Sequence, residues 1–300
     1  MHRSFYASGK LLISGEYAVL DGAQALACPT RFGQSLQYTP GEGMLHWKSF
    51  DAQKKLWFEG TFDPHSFHPI HSTQEEVALR LEQILRAVAA LDSEWTLSCG
   101  GIVECHLEFD PQWGLGTSST LISLIAQWTG VDPYRLLAQT FGGSGYDIAC
   151  AQAKGPLFYQ LQQGNASVEK VHFNPSFKDH LYFVYSNQKQ NSRQAMKHYK
   201  NQKIPIHFID TITELSQNLI QARNQEAFNS LLKAHEKLLG EILQQTPIQE
   251  AFFPDFDGQL KSLGAWGGDF FLASSLSENP EVYFQKKGYP VVIPFSDMLM

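Results

Sequence analysis

The sequence predicts an α+β protein. Three observations carry this: runs rich in β-branched and aromatic residues, segments with apolar residues at helical spacing, and glycine-rich turns joining the two kinds in both halves of the chain. Strand-like runs come first, in "SFYASGKLLISGEYAVL", "LQYTP", "MLHWKSF" and "KLWFEGTF". A helix follows in "TQEEVALRLEQILRAVAAL", where Val77, Leu81, Ile84, Leu85 and Val88 recur at helical spacing and Thr73 with Glu76 has the form of a capping box. "GGIVECHLEF" reads as a strand ending near Asp110-Pro111. "WGLGTSSTLISLIAQW" reads as a glycine- and hydroxyl-rich loop entering a buried helix that stops at Gly130. Asp132-Pro133 is an N-cap followed by proline at the first helical position, so another helix starts there. "GGSGYDIACAQAKG" is a turn into a short helix, and "GPLFYQLQ" returns to strand.

Beyond Gly164 the character changes. "HLYFVYSN" is a strand, and a long helical region runs from His207 to Leu243 with Leu215, Leu219, Ala222 and Phe228 on its buried face. "SLGAWGGDFFLASSL" is strand, loop, strand; "PEVYFQKKGYPVVIPF" is helix, turn, strand. The change of character sets a domain boundary near residue 165, giving domains 1–165 and 166–300, with no internal repeat or low-complexity tract.

A chain of 300 residues, 43% hydrophobic and 18% charged, has the composition of a soluble globular protein with a sizeable core. No apolar run is long enough for a transmembrane helix, and Met1 to Tyr6 lead into a strand-like segment without the apolar region of a signal peptide. Cys28, Cys99, Cys105 and Cys150 include no C-x-x-C pair, so a reducing cytoplasm and no structural zinc are expected. The net charge is −7 and no basic arm exists, which argues against nucleic acid as a partner. An anionic small molecule would need a few locally placed cations.

Three glycine-rich segments stand out: "SGKLLISGEYAVLDG" (8–22), "WGLGTSST" (113–120) and "GAWGGDFF" (264–271). None is a Walker A sequence or a G-x-G-x-x-G dinucleotide turn. In the second, glycines and hydroxyls precede an apolar helix. Amides at a helix start are unpaired and carry partial positive charge, and glycines let a bulky anion touch the backbone, so the segment suits a phosphate. The plainer reading is a tight turn followed by a Ser/Thr cap. His65, His68 and His71 form H-x-x-H-x-x-H, but Pro64 and Pro69 favour a solvated extended loop over a metal site.

In this order the three segments resemble the motifs of the GHMP kinase superfamily, the relatives of galactokinase, homoserine kinase, mevalonate kinase and phosphomevalonate kinase, over nearly the whole chain. "GLGTSST" is similar to the family's "GLGSSAA" loop, and "GSGYDIACA" stands where the family carries its catalytic aspartate. "GYDIA" itself resembles a bacterial subgroup named for it. The resemblance implies a ribosomal-protein-S5-like N-terminal domain, a ferredoxin-like C-terminal domain, and ATP with Mg²⁺ as cofactors. Gly114, Leu115, Gly116, Thr117, Ser118 and Ser119 would wrap the ATP phosphates, with Ser118 on Mg²⁺. Lys10, Asp147 and Ser118 would be catalytic, Asp147 contacting the acceptor and Lys10. Lys10, Glu16, Tyr17, Ser144, Gly145, Asp147, Gly267 and Gly268 would line the acceptor. Each residue alone has an ordinary reading: a strand-edge lysine, a helix-capping aspartate, a strand pair Glu16-Tyr17. Phosphoryl transfer needs positioning and charge compensation above all, and a helix start, one lysine and one Mg²⁺ would supply them.

Within that family the details favour phosphomevalonate kinases. Tyr17 stands where mevalonate kinases usually carry histidine. No acidic residue lies ten to twelve positions before Asp147, where they place a second Mg²⁺ ligand, and "GGD" at 267–269 is similar to the phosphomevalonate kinase third motif. The implied function is transfer of the ATP γ-phosphoryl group to an isoprenoid-pathway acceptor, phosphomevalonate. The alternatives are a mevalonate kinase, a diphosphomevalonate decarboxylase, a sugar or homoserine kinase, and a non-catalytic nucleotide-binding relative. Two departures stand out: Trp266 replaces a family glycine in a loop that passes near the phosphates or acceptor, and Ser119-Thr120 replaces a pair of alanines. In "NQKQNSRQAMK" (187–197), Ser192 and Arg193 at a helix start are expected to grip the acceptor's phosphate, with Lys189 and Lys197 adding charge. The plainer reading there is a surface helix start. Oligomeric state, a homodimer included, is left open.

Overall fold

The computed structural model of the chain describes residues 2–92, 95, 100–188, 192–266, 268–277 and 280–300, the side chains of Ser192 and Arg193 excepted. The chain forms two compact units that interleave along the sequence. One comprises residues 1–9, 32–111 and 115–152; the other comprises 10–31, 112–114 and 153–300. Strands β1 (Arg3–Ser14) and β2 (Ala25–Pro40) each run from one unit into the other.

In the first unit the strand order is β5 (Pro69–Ser72), β4 (Leu56–Phe62), β3 (Leu45–Phe50), β6 (Gly101–Leu107) and the second half of β2. β3 and β6 are parallel; the other pairs are antiparallel, with Gln34 opposite Leu107. Alternation along β3 turns Leu45 and Trp47 inward. They pack with Phe58, Phe62 and Val103 against Leu81, Ile84, Leu85 and Val88 of α1 (Glu75–Leu91) and Ile122, Ile125 and Trp128 of α2 (Thr117–Thr129). The apolar stripe of α1 is thus the one its spacing predicts. Its capping box does not form: the Thr73 hydroxyl accepts from the Glu59 amide at 3.0 Å and reaches the Glu59 carbonyl at 3.2 Å, so β4 takes the side chain that would have capped the helix. α2 ends where glycine allows a left-handed residue, Gly130 at φ 86°, its amide closing on the Ala126 carbonyl at 2.8 Å. Asp132 caps α3 (Pro133–Thr140) through the Arg135 amide at 2.8 Å, and α4 (Tyr146–Gln152) follows the turn at Gly145.

In the second unit the first half of β2 pairs with β7 (Leu157–Gln162), and β7 with β8 (Asn165–Lys170). β8 is exposed along its length, so its short alternation of Ala166 and Val168 faces no core. A separate antiparallel sheet has the order β10 (Gly258–Ser262), β11 (Phe270–Ser275), β9 (Leu181–Tyr185), β12 (Val292–Pro294). Helices α5 (Ser192–Lys200), α6 (Phe208–Gln221), α7 (Gln225–Leu243), α8 (Ile248–Phe252), α9 (Pro280–Lys286) and α10 (Phe295–Met298) complete it. The region 207–243, read from its spacing as one helical stretch, is two helices. Ala222 leaves the helix with ψ 118°, and the Asn224 side chain caps α7 through the Ala227 amide at 2.9 Å.

Candidate active site

The start of α2 lacks a cap from its own side chains. Gly116 is its N-cap, left-handed at φ 94°, and no side chain caps the helix. The hydroxyls that could have done so are turned elsewhere: Ser119 Oγ donates to the Gly116 carbonyl at 2.9 Å, and Thr120 Oγ1 meets Gln34 Oε1 at 2.7 Å. Ser119 and Thr120 are buried, Thr117 is half-buried and Ser118 is exposed. The first-turn amides are therefore left without a side-chain partner from the chain's own cap. Beside them lies a cavity of about 530 Å³ lined by Thr117, Ser118, Trp47, Trp57, Arg80 and Phe141 among others. A pocket of that size with aromatic walls suits a planar, partly apolar group.

Asp147 lies in the first turn of α4, half-buried, with its Oδ1 on the Ile148 amide at 3.2 Å. Gly145 before it is left-handed at φ 88°, and Ser144 is half-buried. Burial, then the charges of Asp132, Cys150 and Asp147, push the Tyr134 phenol up to about 12, so Tyr134 stays a hydrogen-bond donor near this turn.

In the second unit the segment 112–114 is held by the sheet. The Tyr185 hydroxyl donates to the Gln112 carbonyl at 3.2 Å, and the Trp113 ring stands edge-on to Phe270 with centroids 5.6 Å apart. Gly114, at φ 67°, faces Asp269: a Cβ there would collide with the Asp269 carboxylate. Asp269 is itself left-handed, φ 54°, and its backbone is tied to the segment after β9, its N–H donating to the Gln188 carbonyl at 2.7 Å and its carbonyl accepting from Ser186 at 2.8 Å. Gly268 is buried beside it; Gly267 lies outside the described residues.

Lys10 lies half-buried on β1. Glu16, in the turn that follows β1, is only 1% exposed and meets Lys261 Nζ at 2.5 Å. Its carboxylate is thus engaged inside the protein, whereas the sequence resemblance put it against the acceptor. Burial raises its pKa, against the lowering effect of Lys261 and of the backbone amides of Glu16 and Gly264. Tyr17 is buried, left-handed at φ 60°, and stacked on Tyr199 with ring centroids 5.4 Å apart. Its hydroxyl accepts the Trp266 amide at 3.1 Å, and Tyr199 donates to Asp21 Oδ2 at 2.6 Å. Trp266 is 5% exposed and packs with Tyr17, Tyr199, Phe208, Leu239 and Ile242. Its bulk therefore fills the hydrophobic core of this unit.

Lys261, His235 and Glu236 were not among the residues singled out by sequence. All three are buried around Glu16. His235 Nε2 accepts the Gly15 amide at 3.1 Å and lies 3.4 Å from Glu16 Oε2. Burial, with Lys261 nearby, holds His235 well below its ordinary value, so it is neutral and the contact with Glu16 is not an ion pair. Glu236 accepts the Ser262 amide at 3.0 Å and the Ser262 hydroxyl at 2.9 Å, and burial pushes its pKa up to about 7. The spacing did carry a signal: Phe228, Leu232, His235, Glu236, Leu239 and Leu243 share one helical stripe, so two titratable residues sit where α7 is otherwise apolar.

Ser192 and Arg193 open α5, but their side chains, like Lys189, lie outside what the structure describes. Lys197 is exposed on α5. The histidine stretch forms a tight turn on Asp63, whose Oδ1 accepts the His65 and Ser66 amides, before His71 enters β5. Among the described residues no group of three or more His, Cys, Asp or Glu could hold a metal, and no helix is long and apolar enough to cross a membrane.

No family model matches the chain, and no curated protein matches it in sequence. Solved structures do. The Methanococcus jannaschii mevalonate kinase matches with a TM-score of 0.71 at 13% identity, over 98% of this chain and 97% of that one. The Streptococcus pneumoniae phosphomevalonate kinase in complex with phosphomevalonate and AMPPNP matches with a TM-score of 0.69 at 16% identity, over 95% of each chain. The Lactococcus lactis galactokinase complexed with galactose matches with a TM-score of 0.68 at 12% identity, over 100% of this chain and 93% of that one. At such identities the likeness is one of architecture, and it extends across almost the full length of both partners in each case. Mevalonate, phosphomevalonate and galactose kinases have one fold in common, that of the GHMP kinases, and it is the fold of this chain.

Proposed function

We propose that the chain is an ATP-dependent phosphotransferase of the GHMP type whose acceptor is a small anionic molecule, phosphomevalonate first among them. The observation that carries this reading is the start of α2, a left-handed Gly116 with no side-chain cap, beside an aromatic-walled cavity. Amides there would take the phosphates, and the cavity would take the base. Mg²⁺ fits a site of this kind: it binds mainly through substrate phosphates and water, so the exposed Ser118 hydroxyl is enough protein ligand and no acidic cage is needed. Mg²⁺–ATP supplies the phosphoryl group and the cation that offsets its charge. Lys10 adds positive charge for the phosphoryl oxygens. Asp147 orients the acceptor, and serves as a base only if the acceptor is an alcohol. Glu16, paired with Lys261, shapes the first glycine-rich turn from inside.

Tyr17, the Gly267-Gly268-Asp269 run and the lack of an acidic residue ten to twelve positions before Asp147 support phosphomevalonate over mevalonate. The test is an ADP-release assay with Mg²⁺–ATP across phosphomevalonate, mevalonate, homoserine and sugars. ADP formed with phosphomevalonate and not with the others supports the specific reading. Preference for mevalonate keeps the kinase and replaces the acceptor; no ADP with any of them counts against the acceptor class.

A further inference from the structure

The polar cluster behind the first glycine-rich turn is shut away from solvent. Lys261 is 0% exposed, a costly place for an ammonium group unless it is well paired. It donates to Glu16 Oε1 at 2.5 Å and to the Ser262 carbonyl at 2.9 Å. Two neighbours on α7 hold the two sides of this pair. His235 takes the amide of Gly15, and Glu236 takes the amide and hydroxyl of Ser262 and, at 3.3 Å, the amide of Ile248. The turn 15–17 and the end of β10, where the loop 263–269 begins, are therefore fixed to each other and to one turn of α7. A third tie lies just beyond, between the Tyr17 hydroxyl and the Trp266 amide. Replacing a buried ion pair by apolar residues of similar volume is often neutral or stabilising, so stability alone does not account for one here, and the setting of register is the best-attested use of such a pair.

We propose that Lys261 is a positioning residue which, through Glu16, sets the first glycine-rich turn against the third glycine-rich loop. Lys10 lies on the strand that feeds this turn, and Asp269 ends the loop, so one buried contact fixes the relative placement of both. The inference rests on the kinase reading for its purpose, but not for its test.

The test compares the full chain with Lys261→Met and with the paired variant Glu16→Gln/Lys261→Met, which removes both charges together. Thermal melting reports the fold, and hydrogen exchange followed by mass spectrometry reports the segments 15–17 and 263–266. Lys261→Met alone is expected to lower the melting temperature, because it leaves a buried carboxylate without its partner. The paired variant should recover most of that loss. If Lys261 positions the two segments, their exchange in the paired variant still runs about tenfold or more faster than in the parent, while α1 and β3 exchange as before. In the coupled assay, kcat should fall while the Kd for AMPPNP–Mg²⁺ stays within about threefold, under half the change that a single log unit represents. A paired variant with restored melting and parental exchange in both segments overturns the proposal. Should the paired variant not fold, Glu16→Gln alone, which keeps a hydrogen-bond acceptor and removes the charge, is read the same way. The exchange result stands whether or not any acceptor is phosphorylated, so failure of the kinase reading and failure of this one are separate outcomes.

Discussion

The Asp269 carboxylate stands against the Cα of Gly114, in the space that a Cβ would need. Both residues are left-handed, at φ 67° for Gly114 and 54° for Asp269. Glycine adopts that conformation freely, and aspartate is among the few other residues that tolerate it. The first glycine of the 113–120 segment is thus required twice, once by its own backbone and once by the third glycine-rich loop.

Replacing Gly114 with alanine should therefore do more than strain a turn. The left-handed backbone alone costs about 1–2 kcal/mol, and the methyl group must also push the Asp269 carboxylate aside. The expected result is a lower melting temperature and weaker AMPPNP–Mg²⁺ binding by calorimetry. Adding Asp269→Gly should return part of the stability, since it removes the collision and leaves only the backbone cost. A Gly114→Ala chain that melts like the parent would mean the two residues do not touch in solution.

Gly116→Val tests the helix start. A β-branched residue at φ 94° is strained by about 1–3 kcal/mol, and its methyl groups would crowd the amides that no side chain caps. AMPPNP–Mg²⁺ binding should be lost or weakened by about tenfold or more, about 1.4 kcal/mol. Unchanged affinity in calorimetry, with the fold intact by circular dichroism, would remove the phosphate-loop assignment.

Most of the fold is legible because local signals and packing agree. The apolar stripe of α1, the glycine stop of α2 and the Asp132-Pro133 start of α3 are each decided by a few neighbouring residues. What failed to show depended on distant partners. Thr73 has the form of a cap, but only the folded chain brings Glu59 to it. β8 has only Ala166 and Val168 to mark an apolar face, and both are exposed where the strand pairs with β7 at the sheet's edge. In the candidate site the glycine-rich segments were visible from their composition, while Lys261 was not, since a lone lysine in a strand reads as a surface residue until Glu16 is placed beside it. Trp266 stands where the resemblance puts a glycine near the phosphates or acceptor, yet its ring is committed to the core.

That placement makes Trp266→Ala a stability experiment. Truncating a tryptophan that is 5% exposed leaves a large cavity beside α7, with an expected cost of about 3–5 kcal/mol. Trp266→Phe, which keeps most of the volume and drops an indole N–H that has no hydrogen-bond partner among the described residues, should cost much less. Denaturant melts give both values. A near-neutral Trp266→Ala would place the ring at the surface, and would reopen its role in shaping the pocket.

Glu236 gives the fold a pH dependence of known sign. Its folded pKa is about 7 against an ordinary 4.5, raised by burial and partly offset by Lys261, the Ser262 hydroxyl and the Ile248 amide. Between those values the folded chain keeps a proton that the unfolded chain has lost, so this group's contribution to stability declines as pH rises from 4.5 to 7 and is flat above. His235, held neutral in the fold, works in the opposite direction at acidic pH, and Glu16, also raised by burial, works in the same direction as Glu236, so the parent's own profile mixes the three. Comparing the parent with Glu236→Gln removes the contributions that the two chains share. The variant should gain on the parent across that window, by an amount of the order of 3 kcal/mol. A difference that is constant with pH would show that Glu236 ionises normally.

The acceptor and Asp147 are best tested together. If the acceptor already carries a phosphate, the attacking oxygen is anionic near neutral pH and needs no base. Asp147 then contributes by orienting groups, and Asp147→Asn should lower kcat by roughly 10²–10³, the scale of one preorganised group, with no change in the pH at which the rate levels off. If the acceptor is an alcohol, a proton must leave it, and the same substitution should also remove the acidic limb of the pH–rate profile. AMPPNP–Mg²⁺ affinity should be unaffected in either case. The decisive comparison is kcat/KM for phosphomevalonate against mevalonate in the parent enzyme. Preference for phosphomevalonate, with a pH profile that Asp147→Asn leaves in place, is the expected pair of results. Equal or better use of mevalonate, with a lost acidic limb, would make Asp147 a base and the acceptor an alcohol, and a fully active Asp147→Asn enzyme would remove Asp147 from the chemistry altogether.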